Sequence, residues 1–89
     1  MKIGATYPQT ELQGDAASLD RFARAVEAMG LDHVLLYDHV AGAAKVKRDP
    51  PLWEAGPYTD AHPFHEPLTA FAYIAAITQR IDLVTGILI

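Results

Sequence analysis

The sequence predicts an α/β fold in which three parallel strands alternate with two helices. Three short apolar runs, at 2–7, 33–37 and 81–89, are separated by two stretches of helical periodicity. That order makes each pair of successive strands the two ends of a crossover connection, which is right-handed in nearly all known cases.

The first strand is expected from Lys2 to Tyr7, where Pro8 removes a ladder donor. Asp15 supplies an N-cap oxygen, and Leu19, Phe22, Ala23, Val26 and Met29 recur at the spacing of one helical stripe. Gly30 stands where a left-handed residue should close that helix. The run His33-Val34-Leu35-Leu36-Tyr37 follows and ends at Asp38. Its unbroken apolarity suits a strand covered on both faces.

From His39 to Phe64 the chain is irregular and rich in Pro and Gly. Pro67 then fits the first turn of a second helix, with Leu68, Phe71, Ala72 and Ala75 on one side. The other side (Ala70, Tyr73, Ile74, Ala76, Ile77) is nearly as apolar, which implies contacts beyond the sheet. A third strand is expected over Ile81 to Ile89. Two helices cannot cover both faces of a parallel sheet, and the last strand has no polar tail. Residues 1–89 are therefore read as the N-terminal part of a larger domain, incomplete by themselves.

Composition narrows the function. The chain has 89 residues, a net charge of −4 and 51% hydrophobic residues, which argues against nucleic acid or an anionic membrane as partner. It has no cysteine, so disulfides, thiolate nucleophiles and zinc-thiolate sites are excluded. The start MKIGATYP lacks the pattern of a signal peptide, and no apolar run approaches the ~20 residues of a membrane span. A cytoplasmic location is expected.

Asp38-His39 is the leading candidate for chemistry, because ligands of parallel α/β folds gather beyond the carboxyl ends of the strands. A histidine there can trade a proton near neutrality, and the aspartate can orient a ring or accept a hydrogen bond. The alternative is a pair that only caps the turn. His33, at the other end of the same strand, reads as structural. His62, His65 and Glu66 form H-x-x-H-E, which is not the spacing that puts two imidazoles on one helical face, so no metal site is expected. The stretch from His39 to Phe64 exceeds the ~12–15 residues usual for connections in compact domains, as binding loops often do. It carries Lys45, Lys47 and Arg48, suited to a phosphate or to solvent, then Trp53, suited to a pocket wall or to folding back on its own loop, and Tyr58. In Thr85-Gly86-Ile87, a glycine inside an apolar strand marks a bulge or a close approach, by a flat ligand or by a packed helix.

Four segments together resemble the luciferase-like monooxygenase family: MKIGATYPQT, AVEAMGLDHVLLYDHV, Pro63-Phe64-His65-Glu66-Pro67-Leu68 and QRIDLVTGILI. Within it they are most similar to the branch that uses the deazaflavin coenzyme F-420. The resemblance implies the first three strands and two helices of a (β/α)8 barrel, with a flavin-type cofactor at the carboxyl ends of the strands. It implies Asp38 as the acid that contacts the cofactor, and His39 as the proton donor or acceptor beside the reactive ring. It also implies Thr85, Gly86 and Ile87 as the backbone behind that ring, where several members have a non-prolyl cis peptide. A tryptophan that follows the histidine in some sugar-phosphate dehydrogenases of the branch is replaced here by about Ala43, which counts against that substrate class.

The reading is thus a parent protein that is a two-electron oxidoreductase acting on a small organic substrate with F-420, with residues 1–89 by themselves expected to be inactive and a homodimeric parent left open. The alternatives are an FMN-dependent monooxygenase using molecular oxygen and a small α/β module without catalysis. A metal-dependent barrel hydrolase would need ligands beyond Asp38 and His39.

Overall fold

The computed structural model describes residues 1–39, 41–42 and 58–89. The expectations for Ala43, Lys45, Lys47, Arg48 and Trp53 lie outside the described residues. The elements run β1 (Gly4–Thr6), α1 (Ala16–Ala28), β2 (His33–Tyr37), α2 (Pro67–Ile77) and β3 (Asp82–Ile87). All three strands are parallel and lie in the order β1-β2-β3. This is the α/β arrangement of the opening strands of a (β/α)8 barrel.

Strand order decides where the helices go. When each new strand is added on the same side by a crossover of the same hand, every helix falls on the same face. Accordingly α1 and α2 touch: the Tyr73 hydroxyl donates to Asp20 Oδ2 at 2.8 Å, and Arg24 Nη1 donates to the carbonyl of Ile77 at 3.3 Å. A doubly wound sheet would separate them.

One face of each strand therefore builds the core. Val34 and Leu36 are fully buried under the helices with Tyr7, Leu19, Ala23, Val26, Phe71 and Ile74. His33, Leu35 and Tyr37, on the alternate positions of β2, are only half-buried. Among the described residues helices cover one face of β2, so the cover expected on both faces is seen on one.

Local chemistry explains the boundaries. The Asp15 carboxylate accepts from the amides of Ala17 and Ser18 at 3.4 and 2.9 Å, satisfying free donors at the start of α1. At its end Gly30 has φ +78, its amide reaches Glu27 O at 3.1 Å, and the Leu31 amide reaches Val26 O at 3.2 Å. These two bonds make a Schellman closure. Arg80 then donates to the carbonyls of Glu27 and Leu31, a cation at the negative end of α1. Glu27 Oε1 in turn accepts from the amides of Gln79 and Arg80, both at 2.7 Å, so the carboxyl end of α1 fixes the turn that leads into β3. Met29, expected in the buried stripe, is 68% exposed because it sits at the cap, beyond the last turn that faces the sheet.

α2 begins on Pro67, with Glu66 as N-cap bonded to the amides of Leu68 and Thr69 at 2.9 and 2.7 Å. Its buried face is Pro67, Ala70, Phe71 and Ile74, whereas Leu68, Ala72 and Ala75 are exposed. Of the expected stripe only Phe71 is buried, and Ala70 and Ile74 from the other side complete the covered face. A helix apolar all round gives no direction to its own periodicity.

Candidate functional site

The site grows from the ends of β2 and β3. Past Tyr37 the chain runs directly into Asp38 and His39, and the amide of Asp38 donates to the carbonyl of Ile87 at 3.1 Å. The Asp38 carboxylate accepts from the Ile89 amide at 3.3 Å. Asp38 and the Gly86-Ile87 segment thus occupy the same rim of the sheet, at the carboxyl ends of the strands.

Gly86 is a bulge. Leu36 pairs with Thr85 and Tyr37 with Ile87, so Gly86 has no partner of its own. A Cβ at Gly86 would lie 2.8 Å from Leu35 Cδ2, which places its bare α-carbon on the Leu35 face. Among the described residues no helix covers that face. Thr85 pairs with Leu36 and stands on the opposite row, so its side chain does not share that surface.

Aromatic rings surround His39. Its imidazole lies 4.0 Å from the ring of Tyr58 and 5.8 Å from that of Phe64, centroid to centroid. Tyr37 packs edge-on against Phe64 at 5.8 Å, and Tyr58 against Phe64 at 5.2 Å. Burial first, then the negative charge of Glu11, pushes the Tyr37 phenol above its ordinary pKa. Gly42 brings the two ends of the long connection together. A Cβ there would lie 2.5 Å from the carbonyl carbon of Thr59 and 2.6 Å from the Asp60 amide nitrogen. Only glycine permits this approach, which returns the chain to the rim just after Tyr58.

The H-x-x-H-E residues perform three separate tasks. His62 Nδ1 accepts from the Thr59 amide at 2.9 Å and closes a turn. His65 packs its ring 5.8 Å from that of Tyr7. Glu66 caps α2. Among the described residues, no three His, Asp or Glu gather as a metal centre would need. His33 lies at the amino end of β2, directly over Gly4, far from the rim.

One residue escaped the sequence reading. Gln9 is fully buried, and its side-chain amide donates to the carbonyls of Tyr37 (3.1 Å) and His65 (3.3 Å) while its oxygen accepts from the His65 amide (3.1 Å). A polar residue between Pro8 and Thr10 looks like an ordinary turn residue. Its partners lie 28 and 56 positions away, beyond the reach of local pattern.

The family model described as luciferase-like monooxygenase matches residues 2–89. The chain belongs to the luciferase-like monooxygenase family. Comparison with curated proteins and with solved structures gave no match. Luciferase-like monooxygenases are flavin-type oxidoreductases. No helix among the described residues is long and apolar enough to cross a membrane.

Proposed function

We propose that this luciferase-like chain forms the wall of a site for the deazaflavin F-420, and that the protein uses it in two-electron redox of a small organic substrate. The observation that carries the proposal is the juxtaposition of the Gly86 bulge with Asp38 at one rim, tied by the bond from Asp38 N to Ile87 O. The residues present fit a flat conjugated ring. Half-buried Leu35 and Val84 offer an apolar floor, and exposed Gly86 offers backbone without a side chain. The cofactor, when bound, supplies the electron chemistry, and the protein supplies orientation and a proton.

In this reading Asp38 hydrogen-bonds the polar edge of the ring, and the backbone of Thr85, Gly86 and Ile87 supports its face. His39 is the acid–base group, held by Tyr58 and Phe64. Support for this role comes from its place immediately after Asp38 and from its half-buried setting.

The test is a spectroscopic titration of the protein with F-420 and with FMN, followed by turnover measurements on His39→Ala. The expected result is saturable binding of F-420, with turnover of the variant reduced on the order of a hundredfold and cofactor affinity little changed. Equal losses in both would reduce His39 to a cofactor-holding residue. Binding of FMN alone, with a requirement for molecular oxygen, would replace the deazaflavin reading by that of an FMN monooxygenase.

A further inference from the structure

We infer that Gln9 is the positioning residue for His39, setting the place of the imidazole without touching it. This rests on the proposed role of His39, but the geometry behind it is independent of that role. A buried amide is costly unless its hydrogen bonds are made. Gln9 makes three, and they go to the two segments that frame His39. One is the carbonyl of Tyr37, two residues before His39 on the strand that delivers it. The other is the backbone of His65, whose neighbour Phe64 presents its ring to His39 at 5.8 Å and to Tyr37 at 5.8 Å.

The chemistry of the three partners fixes the amide's orientation. Two carbonyls require donors and one amide N–H requires an acceptor, so only Nε2 toward Tyr37 O and His65 O, with Oε1 toward His65 N, satisfies all of them. The side chain is a strut of fixed length between the end of β2 and the segment entering α2. It also stands on the chain just after β1, where the Tyr7 amide is bonded to Leu35 O at 2.9 Å and the Gln9 amide to Tyr7 O at 2.9 Å. The first strand thereby sets the distance between the imidazole and the Phe64 wall. Backbone bonds alone do not: among the described residues, the hydrogen bonds between β2 and the Phe64–Glu66 segment pass through this one amide.

The test is Gln9→Met, which keeps the length and loses all three hydrogen bonds. The imidazole signals of His39 in NMR spectra of the cofactor-free protein are expected to move, because the ring currents of Tyr58 and Phe64 fall off steeply with distance. Those of His33, at the other end of β2, stay in place and report an intact sheet. Turnover is expected to fall about tenfold with cofactor affinity unchanged, the pattern of a misplaced rather than a missing group. If Gln9→Met does not fold, the same spectra are taken on Gln9→Asn, which keeps the amide but is one methylene too short to hold both partners. Unmoved His39 signals in a folded variant overturn the inference. Moved signals with unchanged turnover sustain the positioning and overturn the catalytic role proposed for His39.

Discussion

Asp38 N donates to Ile87 O at 3.1 Å, and Gly86, one residue before that carbonyl, has no partner on β2. The bond and the bulge are one device. The extra residue lets β3 continue past the end of the ladder and meet Asp38, which β2 presents beyond its own last paired position.

Gly86→Val tests this device. A Cβ at 2.8 Å from Leu35 Cδ2 must displace the end of a flexible side chain, a cost of about 1–3 kcal/mol for overpacking. Thermal unfolding should register a modest loss of that size. Cofactor titration should show a larger effect, because the new side chain projects from the face proposed to support the ring. Equal affinity for wild type and variant would remove Gly86 from the site.

At the opposite end of the sheet, Gly4→Ala should destabilise by about 1–3 kcal/mol, because its Cβ would fall within 2.4 Å of three atoms of the His33 ring. The double variant with His33→Ala should recover part of the loss in a denaturant-based double-mutant cycle. Additive losses would mean that the ring is not what excludes the methyl group.

Gly30→Ala isolates a backbone effect. Nothing lies within 4 Å of the added Cβ, so the cost is that of holding φ at +78 with an alanine. That is about 1–2 kcal/mol, or very roughly 4–8 °C in Tm per kcal/mol for a domain of this size. An unchanged Tm would show that α1 ends without the left-handed closure.

Acid should weaken the fold. The backbone amides of Gln79 and Arg80 hold the Glu27 carboxyl below its ordinary 4.5, and Thr69 and Leu68 do the same for Glu66. Ser18 lowers Asp15 below 3.8. In each case the folded protein prefers the ionised form. As pH falls, the unfolded chain takes up protons first, so the contribution is full above the ordinary values and is lost as pH drops through the lowered ones. Denaturant midpoints measured from pH 6 to pH 3 should hold level at first and fall once pH drops through the ordinary values of 4.5 and 3.8, and Glu27→Gln should flatten the fall. A midpoint constant over that range would contradict the three assignments.

Most of the fold was legible in the sequence because its signals are local. Asp15, Gly30 and Pro67 act at the boundaries where their backbone chemistry puts them, and β2 spans the run His33–Tyr37. A glycine inside an apolar strand announced a bulge or a close approach, and the register shift between Leu36 and Tyr37 decides for the bulge. The surroundings of His39 were not. Tyr58 and Phe64 reach it by way of a long connection whose ends meet at Gly42, and Gln9 acts across 56 positions. No periodicity records such contacts. The buried side of α2 was hidden for a different reason: with alanine, leucine and isoleucine on every side, only the position of α1 and the sheet selects which are covered.

The division of each strand between two surfaces has an evolutionary corollary. Ala5, Val34, Leu36 and Leu83 answer to the packing of the helices, while Thr6, Leu35, Val84 and Gly86 stand between them along the same backbone and answer to whatever lies opposite. Substitutions in the second set leave the first nearly untouched. On the proposed reading of that surface, new substrate preferences can accumulate on one side of the ribbon while the other keeps the molecule folded.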